Sequence, residues 1–187
     1  MIYKKLPSEK KYEIIYADPP WQFSNKKTGG SMKSGSEHQY LNVMSVDDIC
    51  NMPIPEIAAE NCTLIMWYVG SMPKEAIRVV ESWGFKIKGM NGFCWNKEAV
   101  KGLPYFGMGF RTRAGMESAI IAIKGKPKVY SHSVRQVRSA SVGKHSEKPA
   151  EFRDDIIELC GDLPRIELFS RKAVEGWDCL GDEVGKC

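Results

Sequence analysis

The sequence predicts an α/β fold built on a mostly parallel sheet with helices on both faces. Strand-sized apolar segments alternate along the chain with helix-like ones, the pattern that sets strands side by side in parallel. The most apolar of them, Leu64-Ile65-Met66-Trp67-Tyr68-Val69, reads as a buried strand. At 187 residues, 43% hydrophobic and 27% charged, the chain has room for one sizeable core. No repeat or linker divides it, so residues 1–187 are expected to form a single domain.

Residues 12–17 (Tyr-Glu-Ile-Ile-Tyr-Ala) are rich in β-branched and aromatic types and predict the first strand. It must stop at Asp18-Pro19-Pro20-Trp21, because proline cannot continue a central strand. Residues 22–39 are polar and rich in glycine, serine and lysine, and read as a long mobile loop. Ser45-Val46-Asp47-Asp48 matches a capping box and predicts a short helix before Pro53. Residues 61–69 predict a strand, and 71–83 a helix with Pro73 in its first turn and Gly84 just past its end. Residues 85–95 predict another strand, 97–115 a glycine-rich loop, and 117–123 an apolar strand. Residues 125–147 read as a second long polar segment. A helix over 149–160, closed by Gly161, leads to strands over 165–169 and 177–180.

The formal net charge of +4 leans toward a polyanionic partner. No apolar run approaches the roughly 20 residues of a membrane-spanning helix. The N-terminal residues are polar and unlike a signal peptide, so a cytoplasmic location is expected. Cys50, Cys62, Cys94, Cys160, Cys179 and Cys187 form no C-x-x-C pair and read as free thiols. His38, His132 and His145 are far apart, and no metal site is expected.

In open α/β sheets, ligands bind beyond the carboxyl ends of the strands, where Asp18-Pro19-Pro20-Trp21 is predicted to lie. A carboxylate followed by a proline-held carbonyl offers two acceptors in restricted geometry. Such a pair suits an exocyclic amino group whose lone pair is delocalised into a ring, as in adenine. Asp18 and the Pro19 carbonyl would each accept one N–H, free the lone pair and stabilise the charge that grows on nitrogen during methyl transfer. Pro20 stiffens the turn, and Trp21 offers a flat face for the base. An isolated Asp-Pro-Pro is most often only a turn; the strand before it and the tryptophan after it favour the catalytic reading.

The tetrapeptide resembles the signature of the mRNA N6-adenosine methyltransferase family and its phage and bacterial DNA-adenine relatives. The resemblance covers almost the whole chain. Further segments that look like the family are Glu37-His38-Gln39-Tyr40 through Met44-Ser45, and Phe106-Gly107-Met108-Gly109-Phe110 with Arg113. Others are Arg135-Gln136 with His145-Ser146-Glu147-Lys148-Pro149, Ile166 to Arg171, Gly176-Trp177-Asp178, and Gly181-Asp182-Glu183-Val184.

That resemblance implies a Rossmann-like S-adenosylmethionine-dependent methyltransferase fold with permuted motif order, the catalytic motif first and the cofactor strand near the C-terminus. It implies that Ala17, Asp18, Lys148, Glu167, Phe169, Arg171, Asp182 and Glu183 bind the cofactor, S-adenosyl-L-methionine. Taken alone, Glu167 reads equally as a strand carboxylate in a salt bridge, and Asp182 as a solvated tail residue. Two departures stand out: Gly115-Met116 replace residues more often polar in the family, and Asp182 stands where an amide is common.

Residues 124–148 carry seven basic side chains, Lys124, Lys126, Lys128, Arg135, Arg138, Lys144 and Lys148, against one acid, Glu147. With Lys26, Lys27 and Lys33 they are expected to flank the active site. From charge alone a solvated basic loop is the commoner reading. Beside a base-reading pocket, Lys26, Lys27, Lys33, Arg135, Arg138, Lys144 and His145 are expected to grip nucleic acid, with Arg111 and Arg113. DNA is the preferred substrate, by resemblance to the compact phage and bacterial members, and RNA the runner-up. A chain with no separate target-reading domain leaves room for a second subunit, in a homo- or heterodimer. A non-catalytic nucleic-acid-binding subunit would show a broken tetrapeptide. A protein-glutamine methyltransferase would typically have Asn first and Tyr last. The intact Asp18 and Trp21 count against both.

Overall fold

The first strand, β1 (Tyr12–Ala17), lies inside the sheet between two strands that come much later in the chain. The computed structural model describes residues 6–7, 9–22, 43–99, 102–107, 109, 111–143 and 147–181. The expected mobile loop falls almost wholly outside the described residues.

The remaining strands are β2 (Ala58–Tyr68), β3 (Lys86–Glu98), β4 (Met116–Lys124), β5 (Val137–Ser141), β6 (Arg165–Leu168) and β7 (Asp178–Leu180), and together they form one sheet in the order β5-β3-β4-β2-β1-β6-β7. Four strand pairings are parallel, and the two antiparallel ones both involve β4. Six strands therefore point the same way, and β4 alone runs against them.

Side chains alternate between the two faces. Ile15 and Ala17 of β1, Leu64 and Met66 of β2, and Ile166 and Leu168 of β6 enter one core. Covering that face are α1 (Val46–Cys50) through Ile49, α2 (Ile54–Ile57) through Ile54 and Ile57, and α3 (Pro73–Ser82) through Ala76, Val79 and Val80. The opposite face takes Ile14, Tyr16, Ile65, Trp67, Phe93 and Trp95, under α4 (Glu151–Cys160). Phe152, Ile156 and Cys160 form the buried stripe of α4 at helical spacing.

The helix ends follow the sequence signals. The Ser45 hydroxyl accepts the Asp48 N–H at 3.1 Å, capping α1. Pro73 opens α3, and Gly84, at φ +79°, closes it. There the Gly84 N–H reaches Glu81 O and the Phe85 N–H reaches Val80 O, the double closure that a left-handed residue permits.

Two segments that the sequence reads as loop-like need correction. The polar segment 125–147 contains β5, an edge strand pairing Cys94 to Glu98 of β3 with Val137 to Ser141. In the glycine-rich stretch after Lys97, the described residues form a hydrogen-bonded ribbon, with bridges Glu98–Pro104 and Gly107–Ala114. Among the described residues, no helix is long and apolar enough to cross a membrane. The described cysteines, Cys50, Cys62, Cys94, Cys160 and Cys179, are free.

Candidate active site

The six co-directional strands end at one edge of the sheet, where the turn after β1 places Asp18. Because β4 is reversed, its beginning meets their ends, and Glu117 arrives at the same edge. Lys97 comes from the end of β3, and Lys148 from just before α4.

These four side chains form a chain of ion pairs. Lys148 Nζ lies 2.6 Å from Asp18 Oδ2 and 3.1 Å from Glu117 Oε2, and Lys97 Nζ pairs with Glu117 Oε1. The Lys148 side chain is 10% exposed, and its ammonium sits 5.4 Å from the centre of the Trp67 ring. Trp67 is itself fixed by an Nε1–H bond of 2.7 Å to the Tyr16 hydroxyl. Burial works against the charge on Lys148, but Asp18 and Glu117 outweigh it and hold its pKa above the usual lysine range. Burial would likewise raise Glu117, yet Lys148 and Lys97 keep its carboxyl below the usual range. A buried cation is thus held charged between two acceptors.

The tetrapeptide is clamped from behind. The Trp21 N–H donates to Pro19 O at 2.8 Å, a one-residue turn at Pro20. The Pro20 carbonyl accepts the Met44 N–H at 2.9 Å, and the Gln22 N–H returns to Met44 O at 3.1 Å. Trp21 differs from the expected stacking platform. It is 4% exposed, and its Nε1–H donates to Trp67 O at 3.2 Å. Its ring packs in the core and anchors the turn.

On the other side of β1, Ala17 pairs with Leu168, so the end of β6 lies beside Asp18. Phe169 follows with φ +64°, a left-handed conformation that a bulky residue adopts only under constraint. The Ser170 N–H donates to Leu180 O at 3.1 Å, and a Cβ at Gly181 would overlap the Ser170 backbone. Lys172 bonds Glu147 at 2.7 Å and ties this turn to the segment before α4. Glu167 faces α4, where Arg153 binds both its oxygens at 2.7 and 2.9 Å. The salt-bridge reading of Glu167 describes its partner.

Residues 12–183 match the family model described as MT-A70. The chain belongs to the MT-A70 family. This MT-A70 chain is 31% identical to the Type II methyltransferase M.MunI of Mycoplasma sp, over 98% of its own length and 82% of that protein. It is 29% identical to the N(6)-adenine-specific methyltransferase METTL4 of Homo sapiens, and 26% identical to that of Mus musculus. Each of those two matches covers 95% of this chain and 38% of the relative.

The MT-A70 fold separates the residues expected to grip nucleic acid. Arg111 and Arg113 are exposed on the ribbon between β3 and β4, at the reactive edge. The expectation that residues 124–128 flank the site is corrected: β4 carries Lys124, Lys126 and Lys128 to the far edge. There Lys124 Nζ reaches Ala58 O at 3.3 Å and the Lys126 N–H reaches Asn61 Oδ1 at 2.7 Å. Arg135 is exposed before β5, at the end of that strand away from Asp18. Arg138 is held by Asp155 at 2.5 and 2.8 Å. Lys26, Lys27, Lys33, Lys144, His145, Asp182 and Glu183 lie outside the described residues. Sequence reasoning missed Glu117 and Lys97. The available signal was the one carboxylate opening an otherwise apolar strand, Glu117-Ser118-Ala119-Ile120-Ile121.

Proposed function

We propose that this chain transfers a methyl group from S-adenosylmethionine to the exocyclic N6 of adenine in DNA. The observation that carries the reading is the Asp18 carboxylate at the end of β1, held by Lys148 beside the Pro19 carbonyl.

The donor set fits S-adenosylmethionine. A zwitterion with a sulfonium centre needs a cation for its carboxylate and acceptors for its positive groups. Lys148, flanked by Asp18 and Glu117, offers both at one place. Ala17, Asp18, Lys148, Phe169 and Arg171 would hold the cofactor, with Glu167 braced by Arg153 at the base of the same edge. When bound, the cofactor supplies an electrophilic methyl group.

The protein orients the nucleophile. Asp18 accepts one hydrogen of the adenine amino group. The Pro19 carbonyl gives one lone pair to the Trp21 N–H and has a second for the other hydrogen. Both contacts strengthen as charge develops on nitrogen, which lowers the barrier. The surplus proton leaves the nitrogen after transfer, toward the Asp18 carboxylate. In a duplex the adenine must first leave the stack.

DNA is preferred because the Type II methyltransferase matches this chain nearly end to end, whereas METTL4 is matched over a minor part of its length. The test is transfer of labelled methyl from S-adenosylmethionine to unmethylated DNA and, separately, to RNA, with digestion to nucleosides and Asp18→Ala as control. N6-methyladenine in DNA, absent with Asp18→Ala, is the expected result. Label in RNA alone would reassign the substrate. Label retained by Asp18→Ala would remove the mechanism.

A further inference from the structure

The ribbon between β3 and β4 carries an aromatic ring that the core does not use. Phe106 is 75% exposed, although phenylalanine is among the residues most often buried. Backbone hydrogen bonds flank it on the ribbon: the Ala99 N–H donates to Leu103 O at 2.8 Å, the Tyr105 N–H to Lys97 O at 3.2 Å, and the Gly107 N–H to Ala114 O at 3.0 Å. A Cβ at Gly107 would overlap the Ala114 carbonyl, and one at Gly109 the Thr112 carbonyl, so glycine alone lets the two arms approach this closely. The Arg113 guanidinium lies 4.6 Å from the Phe106 ring centre. The neighbouring Tyr105 ring takes Lys97 Nζ at 5.7 Å, and Lys97 leads through Glu117 and Lys148 to Asp18. A ring backed by a guanidinium is thus presented on the same edge of the sheet as the proposed catalytic carboxylate.

We propose that Phe106 stacks on a base of the DNA strand that carries the target adenine, next to the extruded nucleotide, with Arg113 behind the ring to meet a phosphate. Charge selects this occupant. Residues 99–115 contain three basic side chains, Lys101, Arg111 and Arg113, and no acid, which suits a phosphate backbone. Stacking on an exposed aromatic ring tolerates any base and holds a strand while one nucleotide is out of the helix. The inference rests on the methyltransferase reading for its choice of partner, but its test does not need methyl transfer.

The five native tryptophans, Trp21, Trp67, Trp83, Trp95 and Trp177, are at most 8% exposed. In a Phe106→Trp variant the new indole is therefore the one open to acrylamide. Mixed-sequence 30-mers of single-stranded DNA, duplex DNA and RNA are the probes. DNA is expected to quench the indole at 106 and to cut acrylamide access severalfold. Phe106→Ala is expected to bind the same DNA about tenfold more weakly, with unchanged thermal unfolding. Unchanged acrylamide access, or wild-type affinity in Phe106→Ala, overturns the proposal. Shielding by RNA alone overturns it too, as does shielding already complete in free protein that self-associates. A shielded indole with no N6-methyladenine in any polymer would keep the stacking and remove the functional reading. N6-methyladenine with an unshielded indole would do the reverse.

Discussion

Lys148 and Asp18 are separated by 130 positions in sequence and by 2.6 Å in space. The same ammonium touches Glu117, so removing it leaves two carboxylates facing each other. Lys148→Met is expected to cost about 1–3 kcal/mol of stability, less than a fully buried pair because the Asp18 side chain is 36% exposed. It should also abolish measurable S-adenosylmethionine binding. Urea unfolding and titration calorimetry read the two effects, and wild-type cofactor affinity in this variant would remove Lys148 from the cofactor site.

The same cluster sets a pH dependence. Glu117 is held below the usual carboxylate range, so its contribution is complete above the unfolded value of about 4.3 and fades as pH falls toward its lowered folded value. Lys148 is held above the lysine range, so its contribution is complete below about 10.4 and is lost as pH rises past that. Stability from this cluster should be flat between those limits. Denaturant midpoints measured across pH check it: Glu117→Gln should remove Glu117's part of the acid limb and diminish the alkaline limb without abolishing it, since Asp18 still raises Lys148.

Arg153 and Glu167 are 10% and 11% exposed at their side chains. Breaking such a buried pair by removing one partner is expected to cost about 3–5 kcal/mol, since the other charge stays buried. Arg153→Met and Glu167→Met should each show this loss, and the double variant should be more stable than either. A double-mutant cycle in urea measures the coupling. Additive losses would mean that the two side chains act separately.

Gly181→Ala places a methyl group against the backbone of Ser170 and is expected to cost about 1–3 kcal/mol. Gly143→Ala meets nothing within 4 Å and should change stability by no more than about 0.5 kcal/mol. Thermal unfolding of the two variants, side by side, isolates the close approach from the general effect of replacing glycine.

Where local chemistry decides the structure, the sequence was legible. Tyr12 to Ala17 had to be a strand and Pro19 had to end it, and Ser45, Pro73 and Gly84 mark helix ends by their hydrogen-bonding capacity and backbone freedom alone. What escaped was set by partners distant in sequence. Val137 to Ser141 is an edge strand with a half-wet face, so its composition resembles a loop. The direction of β4 does not show in an apolar run, yet it decides that Glu117 reaches the reactive edge and Lys126 the opposite one. Trp21 carries the same signature whether exposed or buried. Its burial follows from the end of β2, which supplies the Trp67 carbonyl.

The central position of β1 bears on how the chain can fold. Its two neighbours pair Ala17 with Met66 on one side and with Leu168 on the other. Assembly therefore depends on contacts between distant segments, the topology that slows folding. On the ribosome the Asp18 turn emerges well ahead of its partners: its cation, Lys148, follows 130 positions later, and its second flanking strand, β6, later still. The reactive turn is unarmed until both have been made.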